Sequence, residues 1–191
     1  MRIAIAGATG VIGQRLVPLL ASAGHDVLGL TRSPELVAAL EAAGAEGRVV
    51  NVYERDKLID IVTAFAPDLV MHQLTDLPDD VSAIPSFAAD NARIRSEGTR
   101  NLLAAASSSG ASRFLAQSIV WTPPVNADVI ETHERLVLEI GGVVVRYGQF
   151  YGPGTYFPDS IPDEPRVHID EAARRTVELL EAPSGVVIVT D

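Results

Sequence analysis

Short apolar runs alternate along the chain with longer stretches whose apolar residues recur at helical spacing. Residues 3–6 read as a first strand, and 11–23 as an apolar helix that ends at Gly24. Residues 27–30 read as a second strand. Residues 34–43 read as a second helix, with Ser33 as its N-cap and Pro34 at the first helical position. A short third strand spans 48–50, and a helix over 54–65 is stopped by Ala66-Pro67-Asp68. A fourth strand covers 69–72. A long helical stretch follows over about 87–109 and stops at Gly110. Residues 113–117 give a strand, 127–140 a helix stopped by Gly141-Gly142, and 143–146 a further strand. After an irregular, proline-rich stretch over 152–166, residues 170–180 read as a helix capped by Asp170, and 186–189 as a last strand. Strands and helices alternating at this spacing predict an α/β, doubly wound Rossmann fold. Its sheet is mostly parallel, of about seven strands, with helices on both faces.

One junction in this pattern carries chemistry. Between the first strand and the first helix lies Gly7-Ala8-Thr9-Gly10-Val11-Ile12-Gly13. A first glycine permits a tight turn, a middle one lets the backbone approach a pyrophosphate, and a last one lets the helix pack on the strand. The helix N-terminus then offers free N–H groups and a positive dipole end to the phosphates. Such a turn is built for NAD or NADP. An NAD site commonly ends its second strand with Asp or Glu, which binds the ribose 2′-hydroxyl. Here that strand ends Leu30-Thr31-Arg32-Ser33, without a carboxylate. Arg32 therefore reads either as a partner for a 2′-phosphate, which favours NADP, or as a solvated surface arginine.

Composition narrows the field. With 191 residues the chain is expected to form one domain over 1–191. A formal net charge of −10 argues against a nucleic-acid-binding face. The absence of cysteine excludes disulfides, thiolate metal sites and a cysteine nucleophile. There is no signal-peptide pattern, no apolar run of membrane-spanning length, and neither a hydrolase Gly-x-Ser-x-Gly nor a His-Glu-x-x-His metal motif. His168 and Asp170 without a third ligand make no metal site. A cytoplasmic protein with a small-molecule substrate is the expectation, with no nucleic-acid or membrane partner.

With these motifs in view, the chain resembles the extended short-chain dehydrogenase/reductase superfamily, in particular the NAD-dependent epimerase/dehydratase group and its atypical members. The Gly7–Gly13 turn is similar to the family's cofactor turn, and Asn51-Val52 to the pair beside the adenine. His72-Gln73-Leu74-Thr75 resembles the end of the family's fourth strand, and Phe114-Leu115-Ala116-Gln117-Ser118 its fifth. Asn91 followed by Glu97-Gly98-Thr99-Arg100-Asn101-Leu102-Leu103 resembles its fourth helix. Arg146-Tyr147-Gly148-Gln149-Phe150-Tyr151-Gly152-Pro153-Gly154 is similar to the Tyr-Gly-Pro-Gly segment near the nicotinamide, and Val167-His168-Ile169-Asp170 to the segment before a late helix. The resemblance implies cofactor contacts from Gly7, Thr9, Gly10, Val11, Ile12, Gly13, Asn51, Val52, Leu74, Thr75, Asn91, Gln117 and Ser118, beside Arg32. It also implies a homodimer through the fourth and fifth helices.

The chain departs from that family in two ways. The family's acid/base pair is Tyr-x-x-x-Lys on the fifth helix, where the lysine lowers the tyrosine's pKa. Residues 126–139 hold neither residue type. The only lysine, Lys57, completes a literal Tyr53-x-x-x-Lys57 on the adenine side of the fold, a coincidental match. The substrate-binding portion, about 147–168, is also short, and the chain stops at Asp191, so a reduced substrate lid is expected. Three residues remain as candidate acids or bases. Ser118 lies by the fifth strand. His133, beside Glu134, is either a general base or half of a solvated surface pair. Tyr147 either donates a proton to a bound carbonyl or packs. His72 reads as a hydrogen-bonded structural residue. Trp121, Phe150, Tyr151, Tyr156 and Phe157 form either an apolar substrate wall or a local core. The expected function is an NADP-dependent oxidoreductase or epimerase-like enzyme on a small carbonyl or hydroxyl compound. The alternatives are a non-redox isomerase, cyclase or dehydratase reusing the fold, and a non-catalytic NADP-binding regulator.

Overall fold

A computed structural model describes residues 1–78, 80–121, 123 and 125–191. Strand β1 (Arg2–Ala6) runs through the glycine turn into helix α1 (Gly13–Ser22), which returns to β2 (Asp26–Thr31). Helix α2 (Val37–Ala42), β3 (Ala45–Val49), α3 (Arg55–Phe65) and β4 (Leu69–His72) complete the first half. The second half runs α4 (Ala88–Arg93), α5 (Thr99–Ser109), β5 (Arg113–Ile119), α6 (Ala127–Glu139), β6 (Val143–Tyr147), β7 (Gln149–Tyr151), β8 (Arg166–His168), α7 (Ile169–Val177) and β9 (Gly185–Val189). Seven strands pair in the order β3-β2-β1-β4-β5-β6-β9, all parallel, as the strand–helix alternation predicts.

Strand order reverses between β1 and β4, where Ala6 pairs with Leu30 on one side and His72 on the other. Crossovers leave in opposite directions there, so a crevice opens at the carboxyl ends of the strands. Side chains alternate across the sheet with period two. Ile3, Ile5, Met71, Leu115 and Val145 pack with Leu16 and Leu20 of α1 and Ala172 and Ala173 of α7. Ala4, Val70, Ala116 and Val144 pack on the other face with Leu58, Val62, Leu102 and Val137 of α3, α5 and α6. Both faces of the central strands are buried, which explains their continuous apolar runs.

Several local readings change. Ser33 does not cap a helix through its side chain; its backbone N–H instead donates to Thr31 Oγ1 at 3.2 Å, and a 3₁₀ turn, Pro34–Leu36, precedes α2. The third strand starts at Ala45, directly after Gly44 at φ +94° ends the preceding turn. The long helix is composite: a 3₁₀ segment Val81–Phe87, α4, a π turn Ile94–Gly98, then α5. That π turn carries Arg95 into the interior, where it is 3% exposed. Asp170 does not cap α7. His168 does, its Nδ1 accepting the Asp170 N–H at 3.3 Å, while the Asp170 carboxylate pairs with Arg15 Nε at 2.7 Å. The proline-rich stretch is framed by a separate parallel pair, β7 with β8, absent from the hydrophobic pattern. Among the described residues, no helix is long and apolar enough to cross a membrane.

Candidate functional site

A crevice of about 220 Å³ follows the carboxyl edge of the sheet. One end is bounded by Arg32 after β2, Val52 and Tyr53 after β3, and Asp76 in the loop after β4. The glycine turn forms its middle, and Gln117 of β5, Tyr147 of β6 and Phe150 of β7 bound the other end. Of the residues expected to touch a cofactor, Gly7, Thr9, Gly10, Val11, Ile12, Arg32, Asn51, Val52, Leu74, Thr75 and Gln117 line it. Gly13, Asn91 and Ser118 lie outside the lining.

The turn has the shape of a cradle. Gly7 sits at φ +90°, and a Cβ there would lie 2.7 Å from the Gln73 carbonyl carbon. A Cβ on Gly13 would lie 2.1 Å from the Gly7 oxygen, so Gly13 lets α1 start against the turn rather than touching a ligand itself. Arg15, which the sequence did not single out, ties the turn down. Its Nη1 donates to the Val11 carbonyl at 2.8 Å, its Nη2 to the Pro153 carbonyl, and its Nε to Asp170. The Tyr-Gly-Pro-Gly segment is thereby anchored to the glycine turn.

Gln73 is the second residue that sequence reasoning missed. It is 5% exposed, lines the crevice, and neither Nε2 nor Oε1 makes a well-formed hydrogen bond among the described residues, although the carboxamide stands near enough to the Tyr147 hydroxyl to act on its pKa. An orphaned carboxamide costs about 1–3 kcal/mol unless something bonds it. The signal in the sequence was a polar residue directly after the fully buried run Leu69–His72. The Gly7–Gly13 cradle and this orphaned amide on the same wall fit a dinucleotide laid along the crevice.

The three candidate acids or bases sit in closed surroundings. Thr176 gives its hydroxyl hydrogen to the Ala172 carbonyl, so Tyr147 donates to Thr176 Oγ1 at 2.7 Å, and burial pushes its phenol up to about 12, against the pull of the Thr176 and Gln73 side chains. His133 and Glu134 are both buried, which overturns the picture of a solvated surface pair. His133 Nε2 meets the Gln117 carbonyl at 3.0 Å, so it carries the proton. Its Nδ1 lies 2.7 Å from Thr99 Oγ1, which is also 3.1 Å from His72 Nε2. Burial, with Arg95 nearby, pushes His133 down to about 4, so the ring is neutral, and its Nδ1 and the Arg95 carbonyl, 2.6 Å from Thr99 Oγ1, share the one hydroxyl hydrogen of Thr99. His72 Nδ1 accepts the Leu74 N–H at 3.3 Å, leaving its Nε2–H to donate to Thr99. Leu74, His72, Thr99, His133 and Gln117, with the Arg95 carbonyl, thus form one buried polar cluster between two crevice-lining strand ends.

Beside that chain, Ser118 donates to Glu134 Oε1 at 2.5 Å, and Arg146 grips the same carboxylate at 2.9 and 2.5 Å. Burial alone would raise the Glu134 carboxyl, but Arg146 and Ser118 outweigh it and hold it below the ordinary range. Arg95 is lowered to about 10 by burial, partly offset by Glu134, and its Nε and Nη1 have no hydrogen-bond partner among the described residues. At the far end, Lys57 pairs with Glu54 at 3.5 Å on the surface, whereas Tyr53 lines the crevice. Asn91 Oδ1 accepts the Asp76 N–H at 3.4 Å and so shapes the loop after β4.

Known proteins resemble this chain in sequence or in fold. A 3-diazoavenalumate denitrifying reductase from a Streptomyces species is 38% identical across 81% of this chain, which spans 58% of that relative's length. UDP-glucose 4-epimerase from Thermotoga maritima, solved with UDP-glucose, matches all of this chain and 77% of its own, with a TM-score of 0.79 at 17% identity. The UDP-glucose 4-epimerase of Thermus thermophilus, solved with NAD, matches 100% of this chain and 78% of its own, at a TM-score of 0.79 and 18% identity. The family model for the NAD dependent epimerase/dehydratase family matches residues 3–136, and the chain belongs to that family.

Proposed function

We propose that this chain binds a nicotinamide dinucleotide, NADP in preference to NAD, and serves a reductase acting on a small acceptor. The observation that carries the reading is the single crevice running from Arg32 across the glycine cradle to the orphaned Gln73 amide. In this reading, the backbone N–H groups of the turn and the start of α1 hold the pyrophosphate. Val52 and Leu58 flank the adenine, and Arg32 faces the 2′ position. Gln73 and Gln117 offer amide groups at the opposite end, and residues 147–168 supply the wall on the substrate side. A reduced dinucleotide, when bound, supplies hydride there.

The choice among acceptors turns on protons. Ser118, His133 and Tyr147 all have their polar hydrogens committed to buried partners. At this end of the crevice the described residues leave no free acid of suitable pKa. An acceptor that takes hydride without a proton suits such a site. A diazonium carbon is one: the C–H bond forms, the C–N bond breaks, and N₂ leaves with its electron pair. The printed name of the Streptomyces relative, a diazo compound's denitrifying reductase, supports this over a carbonyl acceptor.

Calorimetric titration with NADPH, NADH and their oxidised forms tests the cofactor reading. Binding of none of them would overturn it. NADPH oxidation above the protein-free rate, with N₂ release from an arenediazonium acid and none with a panel of aldehydes and ketones, is the expected result for the acceptor. Turnover of the carbonyl panel with a bell-shaped pH profile would instead require a working acid/base.

A further inference from the structure

At the Arg32 end of the crevice, a carboxylate stands where the second strand lacks one. Asp76, from the loop after β4, lies with Oδ1 3.4 Å from Arg32 Nη2, and both residues line the crevice. Among the described residues Asp76 is the only acid paired with Arg32. The arginine side chain is 58% exposed and the aspartate 21%, so the carboxylate is the better anchored partner. Its backbone N–H is held by Asn91 Oδ1. Tyr53 closes the cluster: its hydroxyl is buried without a hydrogen-bond partner among the described residues, and the Arg93 guanidinium lies 3.8 Å over its ring. Arg93 is itself neutralised by Glu97 at 2.7 Å. The two cations here therefore face two anions, and the end of the crevice is balanced in charge.

We infer that Asp76 sets how strongly this site distinguishes NADP from NAD, by competing with a 2′-phosphate for Arg32 while accepting a hydrogen bond from a 2′-hydroxyl. The inference rests on the dinucleotide reading above and adds to it a residue outside the second strand. One carboxylate acts with opposite sign on the two cofactors. A hydroxyl donates to it, as to the acidic residue that ends the second strand in NAD sites. A phosphate is repelled by it and finds Arg32 already engaged. Arg32 alone would give a strong NADP site; Arg32 with Asp76 gives one of modest preference.

The test is calorimetry on the full chain at low salt, with NADPH and NADH as one probe pair and adenosine 2′,5′-bisphosphate and adenosine 5′-monophosphate as a second. The second pair reports the Arg32 end without the nicotinamide half. Asp76→Asn is expected to raise the affinity ratio of the phosphorylated over the unphosphorylated probe about tenfold in both pairs. Asp76→Ala, which keeps no amide, is expected to raise it in the same direction. Arg32→Ala is expected to turn the preference toward the unphosphorylated probe, and in that background Asp76→Asn raises the ratio by a smaller factor, because the competition for Arg32 is gone while the direct effects of the carboxylate on hydroxyl and phosphate remain. An Asp76→Asn protein that binds adenosine 5′-monophosphate, and so has a folded site, but leaves both ratios within twofold of wild type overturns the inference and spares the cofactor reading. Failure of the wild-type chain to bind any of the four probes overturns both.

Discussion

The crevice and the layer beneath α5 and α6 are built on opposite terms. The crevice joins a backbone cradle, with its glycine turn, strand ends and helix N-terminus, to side-chain walls at either end and one carboxamide without a well-formed hydrogen bond. The layer behind it is made of side chains that satisfy one another. His72, His133 and the Arg95 carbonyl meet around the Thr99 hydroxyl, and Ser118 and Arg146 close on Glu134. The first region is open to a ligand, and the second has no proton to spare. Binding and acid/base chemistry, which share residues in many enzymes, are separated here. The difference teaches that a retained cofactor cradle says little about whether the family's proton chemistry is retained with it.

The comparison breaks most sharply at the cradle. Gly13→Ala would put a Cβ 2.1 Å from the Gly7 carbonyl oxygen, which belongs to backbone and cannot swing away. The turn or α1 must shift, at a cost of about 3 kcal/mol or more. A drop in the thermal midpoint together with loss of dinucleotide binding by calorimetry is expected; wild-type binding would show that the cradle tolerates the shift.

The buried layer is probed next by pH. His133 has a folded pKa of about 4 against an ordinary 6.5. Between those values the unfolded chain takes up a proton that the folded chain refuses. Stability therefore falls as pH drops from 6.5, by about 3 kcal/mol in all, and levels off below 4. His72, lowered in the same direction chiefly by burial and next by His133, adds to the fall. Denaturant midpoints from pH 7 to pH 4.5 should show the slope, and His133→Gln should flatten it. An unchanged slope in that variant would remove His133 from the account. Glu134→Gln comes third. It leaves Arg146 and Arg95 facing a neutral amide, and is expected to cost about 2 kcal/mol by denaturation while changing dinucleotide affinity less than twofold.

The two regions also differ in how far the sequence disclosed them. The glycine turn was legible because its constraint is local: three glycines between an apolar strand and an apolar helix have few other uses. The parallel sheet was legible for a similar reason, since Leu69–Met71 and Val143–Val145 are buried on both faces and read as unbroken apolar runs. The layer behind was not. His133 and Glu134 are adjacent on α6, where a helical pattern assigns two consecutive polar residues to the solvent face. They are buried because Thr99, Ser118 and Arg146 arrive from three other elements, a coincidence in space with no trace in spacing. Arg95 was hidden by the π turn, which shifts the helical register within an otherwise regular pattern. The cap of α7 misled for a smaller reason. Asp170 has the right residue type, but His168 lies closer to the helix start and Arg15 claims the carboxylate.

Gln73 lies at the border of the two regions, and the smallest effect is expected there. Its carboxamide faces the crevice, yet it also acts on the buried Tyr147 hydroxyl, which is held by Thr176 of α7. Gln73→Leu keeps the volume and removes both orphaned atoms, so the folded chain no longer buries an unpaired amide. Stability should hold or rise by about 1 kcal/mol. If the amide serves a ligand, the same change should weaken NADPH and NADH alike by about fivefold, because Gln73 lies away from Arg32 and does not read the 2′ position. Adenosine 2′,5′-bisphosphate should bind as it does to wild type. A gain in stability with dinucleotide affinity unchanged would move Gln73 into the closed layer, as a polar residue whose partners lie within the protein. Weaker binding of the adenosine fragment as well would mean that the substitution disturbs the glycine turn, whose Gly7 touches the Gln73 backbone, and the boundary between cradle and core would then run through residue 73 itself.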